Sequence, residues 1–349
     1  MSVVDRIPTR ARTVVPAVVV AAVVLGVAAS RSTSWIYNIT TVAILAIAVV
    51  GLNIVIGLAG QVSFATPAFM AVGGYASANL GTRAGWNPWV ALLAGAVAAT
   101  LFAALIGVPL MRLRGHYLAM GTFALALVVG GLALAAKGVT NGSIGIAGVP
   151  PFTIGSLDLS GADAFYWLSC GTCGAAVLAV RLLRSSRVGR AWRAVAARDD
   201  VASSLGVEVA RYKVMAFAAS ALLAAVAGSL YVEFTSFVAP DLYSTAVNVQ
   251  IFTMLFIGGL ATTWGPVTGA AVVVLFPVVF SGLRDTQSVV LGVLLLAILV
   301  LRPQGIGGGR GTYGPIVDLL PARWAGSLRS LTTVPPIAGA RRSRRGASA

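Results

Sequence analysis

Four long apolar runs, at 13–30, 36–57, 89–110 and 117–136, decide most of what this chain can become. Each is close to the roughly 20 residues that about 30 Å of hydrocarbon demands of an α-helix. Only 10% of the chain is charged and 58% is hydrophobic, whereas soluble domains carry about 25% charge. The chain reads as an integral membrane protein. A cleaved signal peptide would need a short apolar core, a cleavage site and a soluble remainder, so 13–30 reads as a retained first span.

Ten crossings are expected, at 13–30, 36–57, 61–81, 89–110, 117–137, 164–184, 213–234, 246–261, 266–284 and 287–301. The net charge of +15 does not point to nucleic acid, because the basic residues lie in the gaps between spans. If the chain starts inside, 21 of its 25 Lys and Arg fall in inner segments. The four outside are Arg31, Arg83, Lys137 and Arg284, an imbalance that sets both termini in the cytosol. The domain reading is a cytosolic segment 1–12, a transmembrane domain 13–301 interrupted by a cytosolic loop 184–213, and a basic tail 302–349. The low apolar content of the tail predicts disorder, with Arg341, Arg342, Arg344 and Arg345 near anionic lipid headgroups. The preference for Arg over Lys, with abundant Ala, Val and Gly, suggests a GC-rich bacterial genome.

Within the cytosolic loop, Ala191, Ala194, Val195, Val201, Ala202 and Leu205 recur at spacings of three or four, which predicts one short helix between Arg190 and Leu205. Gly189 precedes it, and Gly206 stands where a left-handed glycine can stop it. Such a helix can be a docking knob for a cytosolic partner. A solvated basic loop that only fixes topology remains the alternative.

Glycine and proline break the spans twice, at Gly57, Gly60 and Pro67 and at Gly258, Gly259, Gly265 and Pro266. Backbone freed at membrane depth must find partners in protein or in a wet cavity, and broken helices often line substrate paths. Close helix packing is the other use of such glycines. The two clusters fall in comparable places along the chain, which suggests related halves of opposite orientation meeting at a central path. Polar residues in or near spans are Asn38, Asn53, Gln61, Asn79, Glu233, Asn248 and Gln250. Glu233 lies near the outer end of its span and is expected to be an interfacial, solvated carboxylate. Cys170 and Cys173 sit inside an apolar span without a second pair or a histidine, so they read as packing residues. His116, the one histidine, reads as a capping or interfacial residue. The external segment 138–163 is rich in turn formers and carries Asp158 and Asp163, a candidate landing surface for an external protein.

Several stretches together resemble the permeases of branched-chain amino acid ABC importers. Gly57, Gly60, Ser63, Phe69 and Gly73-Gly74-Tyr75 resemble that family's early glycine signature. Leu113-Arg114-Gly115-His116-Tyr117-Leu118-Ala119 resembles its inner span start, and 142–149 its Gly-rich external loop. Ser186-Arg187-Val188-Gly189-Arg190-Ala191 with Ala197-Arg198-Asp199 resembles its cytosolic loop. Asp200 to Gly206 resembles the coupling segment of ABC importer permeases, with Asp200 where Glu is usual and Val201 where Ala is common. Gly258-Gly259-Leu260-Ala261, followed by Gly265-Pro266 and Gly269-Ala270, resembles a later signature in which Ala261 stands where glycine is usual. Arg302-Pro303-Gln304-Gly305-Ile306 resembles the family's ending, which together with the cytosolic loop fits the M-type subunit better than the shorter H-type.

The resemblance implies an all-α, polytopic membrane helix bundle of the ABC importer permease type, with about ten transmembrane segments and broken helices, in the bacterial inner membrane. It also implies an H-type second permease subunit, two ATPase subunits that bind the ATP, and an external solute-binding protein. ATPase coupling would then fall to Gly189, Arg190, Arg198, Asp199, Asp200, Ala202 and Gly206. The translocation path would involve Gly57, Gly60, Gln61, Ser63, Gly73, Gly258, Gly259, Gly265 and Pro266. No phosphate-binding Gly-x-x-x-x-Gly-Lys-Ser/Thr sequence occurs, since neither Lys137 nor Lys213 follows a glycine. Energy must therefore come from a separate subunit or an ion gradient, and the spans are nearly free of the mid-membrane charges a gradient-driven carrier uses. The expected protein is a transport subunit with no cofactor or metal of its own, carrying hydrophobic amino acids. A related permease for urea, short amides or other amino acids shares these motifs. A secondary carrier or channel is the rival of a different class.

Overall fold

The computed structural model of the protein describes residues 33–113, 115–154, 157–158 and 161–279. The expected spans 13–30 and 287–301, the end of 266–284, the sequence beginning at Arg302, the segments 1–12 and 302–349, and Arg114 all lie outside them.

Ten α-helices of six or more residues organise the described chain: α1 (Thr33–Asn53), α2 (Thr66–Thr82), α3 (Pro88–Leu110), α4 (His116–Ala135), α5 (Ala162–Ser185), α6 (Arg187–Ala197), α7 (Asp199–Ser204), α8 (Val209–Thr235), α9 (Thr245–Gly258) and α10 (Gly265–Val279). A π-helical turn, Ile54–Leu58, extends α1. Local chemistry fixes several starts. The Asn87 side chain accepts from Trp89 N at 3.0 Å, with Pro88 at the first helical position of α3, and α6 begins where Ser186 Oγ accepts from Gly189 N at 3.3 Å.

Among the described residues, five helices are long and apolar enough to cross a membrane: α1 with its π turn, α3, α4, α5 and α8. The expected spans 61–81 and 246–261 shorten to α2, 17 residues, and α9, 14 residues. At 1.5 Å per residue the latter is about 21 Å, less than the bilayer core. The missing length is chain that leaves the helix at 59–65 and 259–264.

α1 and α8 form the centre. The apolar window of α1 is 94% buried and that of α4 only 22%, although their mean hydropathies are 2.6 and 2.2. An all-round apolar helix can thus face protein or lipid. α1 packs on α5, α8 and α10, and α8 on α1, α2 and α3. The α2–α8 contact runs parallel and is built from small residues. A Cβ on Gly228 would fall on the Met70 carbonyl, one on Gly73 within 2.6 Å of Ala225, and one on Gly74 within 2.9 Å of Val232. Hydrogen bonds from Ser229 Oγ to Gly73 O and from Ser77 Oγ to Glu233 Oε1, both 3.1 Å, continue the same line. α3 enters antiparallel, its Gly95 against Gly73 O. Bare backbone at these positions lets the helices approach closely, as in membrane packing generally.

Glu233 is 5% exposed, so the expectation of a solvated interfacial carboxylate is corrected. It lies on the α2-facing side of α8, one turn from Ser229, and the chain beyond α8 folds back over that end. There β4 (Phe237–Val238) pairs antiparallel with β1 (Ile146–Ala147), and a turn at Pro240–Tyr243 packs on α2. A second pair, β2 (Thr153–Ile154) with β3 (Leu157–Asp158), completes this end. The Gly-rich stretch is therefore ordered: Gly145, at φ +75, meets the Val238 carbonyl too closely for a Cβ. Cys173 is buried, and Cys170 packs beside the Ile36, Ile39 and Tyr166 cluster; both are free thiols. His116 is exposed as the first residue of α4.

The seam generates a clear expectation. Gly228→Val should lower the thermal stability of the detergent-purified subunit by about 1–3 kcal/mol, the usual cost of overpacking. Gly131→Val, where a Cβ meets nothing within 4 Å, should leave melting unchanged; equal shifts in the two variants would refute the seam.

Candidate translocation and docking site

The first break follows the π turn. Ala59 N reaches Ile54 O at 3.0 Å and Gln61 N reaches Val55 O at 2.9 Å, and Gly60 takes φ +67. The chain then runs without regular structure to Thr66, clamped at Phe64 from two helices: Phe64 N donates to Thr122 Oγ1 of α4 at 3.0 Å, and Asn248 Nδ2 of α9 donates to Phe64 O at 2.7 Å. The Phe64 ring stacks on Phe252 with centroids 4.2 Å apart and meets Phe123 edge-on at 6.0 Å. Ser63 is buried and its Oγ accepts from Ala65 N at 3.3 Å. Gln61 is 4% exposed, yet neither of its amide atoms has a partner among the described residues, and the same is true of Thr66 Oγ1 and Asn248 Oδ1. A stretch with clamped backbone and free side-chain polar atoms can offer those atoms to a solute.

The second break is a tight turn between α9 and α10. Gly259 has φ +105 and Ala261 φ +54. Gly258 and Gly265 touch backbone to backbone, Thr262 Oγ1 bonds Gly259 O at 2.8 Å and accepts from Gly265 N at 3.1 Å, and buried Pro266 opens α10. A left-handed alanine costs about 1–2 kcal/mol, which explains why glycine suits this position. The turn is held by groups far away in sequence. Asn53 of α1 accepts from Ala261 N at 2.8 Å and donates to Thr262 O at 2.9 Å, while Arg184 Nη1 of α5 donates to Ala261 O at 2.7 Å. At about 1 kcal/mol for each neutral bond and about 1.5–3 for the charged one, these bonds outweigh the strain.

The two breaks meet. A Cβ on Gly57 would stand 2.6 Å from Ala261 N, so Gly57 gathers with Gly258, Gly259, Gly265 and Pro266, while Gln61 and Ser63 lie farther along the first break. α1 and α9 both run toward this junction, so the glycine clusters share one end of the bundle. They do not occupy equivalent places in oppositely oriented halves as expected. Gly73 is remote from them, in the α2–α8 seam.

The same end carries the basic loop. The expected single helix from Arg190 to Leu205 is two: α6 and α7 are separated by Arg198, which is extended at φ −161. The cause is tertiary, because Asp199 pairs with Lys213 at the start of α8 and so turns the chain. Gly189 lies inside the first turn of α6, buried against the Leu183 and Arg184 carbonyls. α7 stops at Gly206, φ +81, where Val207 N bonds Ala202 O at 3.1 Å and Gly206 N bonds Ser203 O at 3.0 Å, a Schellman end. Buried Trp192, its Nε1 donating to Tyr212 O at 2.8 Å, anchors α6. Ala202 faces inward at 1% exposure, whereas Val201 and Leu205 project at 49% and 75%. Arg190, Arg198 and Asp200 are exposed around them. Gly60 rests on this unit, with a Cβ there 3.0 Å from Ala196 Cβ.

The sequence reading missed four residues. Trp192 was legible as a tryptophan within a basic loop. Asn53 and Asn248 were noted as polar groups in spans but given no role, and Arg184 was counted only as charge.

The family described as branched-chain amino acid transport system / permease component matches residues 34–299. The chain is 29% identical over 314 residues to the high-affinity branched-chain amino acid transport system permease protein LivM of Escherichia coli K12, covering 82% of this chain and 73% of that one. It is also 29% identical over 280 residues to LivM of Salmonella typhimurium, covering 73% and 66%. To the LivH permease protein of the same E. coli strain it is 27% identical over 284 residues, covering 75% and 91%. No solved structure matches. With three quarters of its length matched in this way, the chain belongs to the family of branched-chain amino acid transport system permease components.

Proposed function

We propose that this chain is the M-type permease subunit of an ATP-driven importer of branched-chain, hydrophobic amino acids, placed in the bacterial inner membrane with both termini in the cytosol. It works beside an H-type permease. Two separate ATPase subunits supply the energy, and an external binding protein delivers the solute near the end formed by β1–β4. The observation that carries this reading is the tip of the basic loop: Val201 and Leu205 project from a short, doubly anchored helix. Exposed apolar side chains on a rigid knob fit a partner's cleft better than they fit water. The coupling set divides accordingly. Arg190, Arg198, Asp200, Val201 and Leu205 meet the ATPase, while Gly189, Asp199, Ala202 and Gly206 shape the knob from behind.

Alternating access follows from the junction of the breaks. Nucleotide-driven closure of the ATPases displaces α6 and α7, and the spans attached to them open or close the passage beside Gln61 and Ser63. Apolar walls such as Phe64 and Phe252 suit Leu, Ile or Val side chains. Gln61 and Asn248 offer hydrogen bonds to the zwitterion.

The decisive assay is uptake of radiolabelled L-leucine into vesicles containing the full set of subunits. Uptake should require ATP and the ATPases and survive collapse of ion gradients; uptake that follows a gradient without nucleotide would overturn the reading. Leu205→Asp should cut ATPase co-purification by about tenfold or more, as expected for a central contact residue worth at least 1.4 kcal/mol, with membrane insertion unchanged. Orientation is checked by thiol labelling in a Cys170→Ser, Cys173→Ser background. A cysteine at Leu205 should react only from the cytosolic side and one at exposed Ile144 only from outside.

A further inference from the structure

We propose that Arg184 is the positioning residue that carries motion of the cytosolic knob into the second helix break, with the Ala196–Gly60 contact doing the same for the first. The inference rests on the proposed ATP-driven transport and adds the route by which the knob reaches the passage.

Arg184 occupies the last turn of α5, three residues before α6 begins. Its Nη1 donates at 2.7 Å to Ala261 O, the carbonyl of the left-handed residue in the α9–α10 turn. No carboxylate pairs with this guanidinium among the described residues, so its charge is directed at one carbonyl. The backbone of Arg184 is at the same time the floor for α6: a Cβ on Gly189 would stand within 2.7 Å of Arg184 Cα. One residue therefore touches the knob with its main chain and the break with its side chain. At the far end of α6, Ala196 Cβ would lie 3.0 Å from a Cβ on Gly60, which is itself left-handed. Each break thus touches the knob unit at a residue of positive φ, Gly60 in the first and Ala261 in the second.

Those residues are suited to receive force. A turn held in a sparsely populated conformation persists only while its surroundings over-determine it. Asn53 binds the Ala261 N–H and the Thr262 C=O from α1, which stays in the core, and Arg184 binds the Ala261 C=O between them from α5, which adjoins the knob. Moving one clamp against the other shifts the turn between them. A coupling claim needs such an element, biased from both sides.

The test measures leucine transported per ATP hydrolysed in the reconstituted complex. Arg184→Gln should lower that ratio by about tenfold, within the usual span of coupling between sites, while hydrolysis itself continues. Arg181→Gln removes an exposed charge one turn earlier in the same helix and should keep the wild-type ratio. A wild-type ratio in Arg184→Gln, or an equal fall in Arg181→Gln, overturns the proposal. Should Arg184→Gln fail to assemble, Ala196→Gly deletes a single methyl at the other contact and is expected to lower the ratio; an unchanged ratio there counts equally against it. If the wild-type complex shows no ATP-dependent leucine uptake, the proposed function fails. If the wild type transports and the variants match it, only this inference fails.

Discussion

A chain that leaves the helix inside an apolar bundle must find new partners for the peptide groups it frees, because lipid offers none. This protein does so twice, and both times the partner is a side chain from another helix. Thr122 and Asn248 take the N–H and C=O of Phe64, and Asn53 and Arg184 hold the peptides around Ala261. Four polar side chains on α4, α9, α1 and α5 thus tie most of the bundle to its two irregular segments. Remove that satisfaction and the breaks would have either to refold as helix or to reach water.

The rest of the bundle can be tight because it has no such obligations. Where α2, α3 and α8 meet, glycines and alanines let backbone lie on backbone, and the Phe69, Phe102 and Phe217 rings fill the rest of the contact. Close packing without voids makes a unit that moves as a block, since interiors of this density do not deform continuously. The exceptions within the bundle are the α9–α10 turn and the non-helical chain at 59–65. Among the described residues, buried polar atoms lack partners at the first break, on Gln61, Thr66 and Asn248, and also at the outer end of the seam, on Tyr75 and Glu233, while Ser229 in the seam is bonded to Gly73.

Much of this was legible in the sequence, for physical reasons that also mark where it stopped being so. Apolar length located α3 to within a residue at its start, and the Asn87-Pro88 pair signals that start locally. Gly206 announced the end of α7, because a left-handed stop needs glycine in most contexts. Ala261 was recognisable as standing in a glycine's place, and its φ of +54 gives the reason. The division of 190–205 into two helices was hidden, since helical spacing continues straight through Arg198. Only Lys213, fourteen positions from Asp199, turns the chain there. Glu233 was misplaced because distance from a helix end says nothing about what folds back over it. Hydropathy could not separate buried α1 from exposed α4, since lipid and protein interior select the same side chains. The junction of the two glycine clusters needed tertiary structure altogether.

The knob has little softness of its own. Trp192 pins α6 to the start of α8 through Tyr212 O, Asp199 pins α7 to Lys213 on the same helix, and the Ser186 cap fixes the angle at which α6 leaves α5. Apart from the capped Ser186 and Arg198, the described chain between α5 and α8 is irregular only at 205–208, and the Schellman bonds hold that point too. Force applied at Leu205 therefore has no loop in which to dissipate and passes to α5 and α8 together. α8 belongs to the packed seam and α5 ends at Arg184. A push on the knob thus sets the block of packed helices against the clamped turn, and the part that yields is the part whose backbone is already strained.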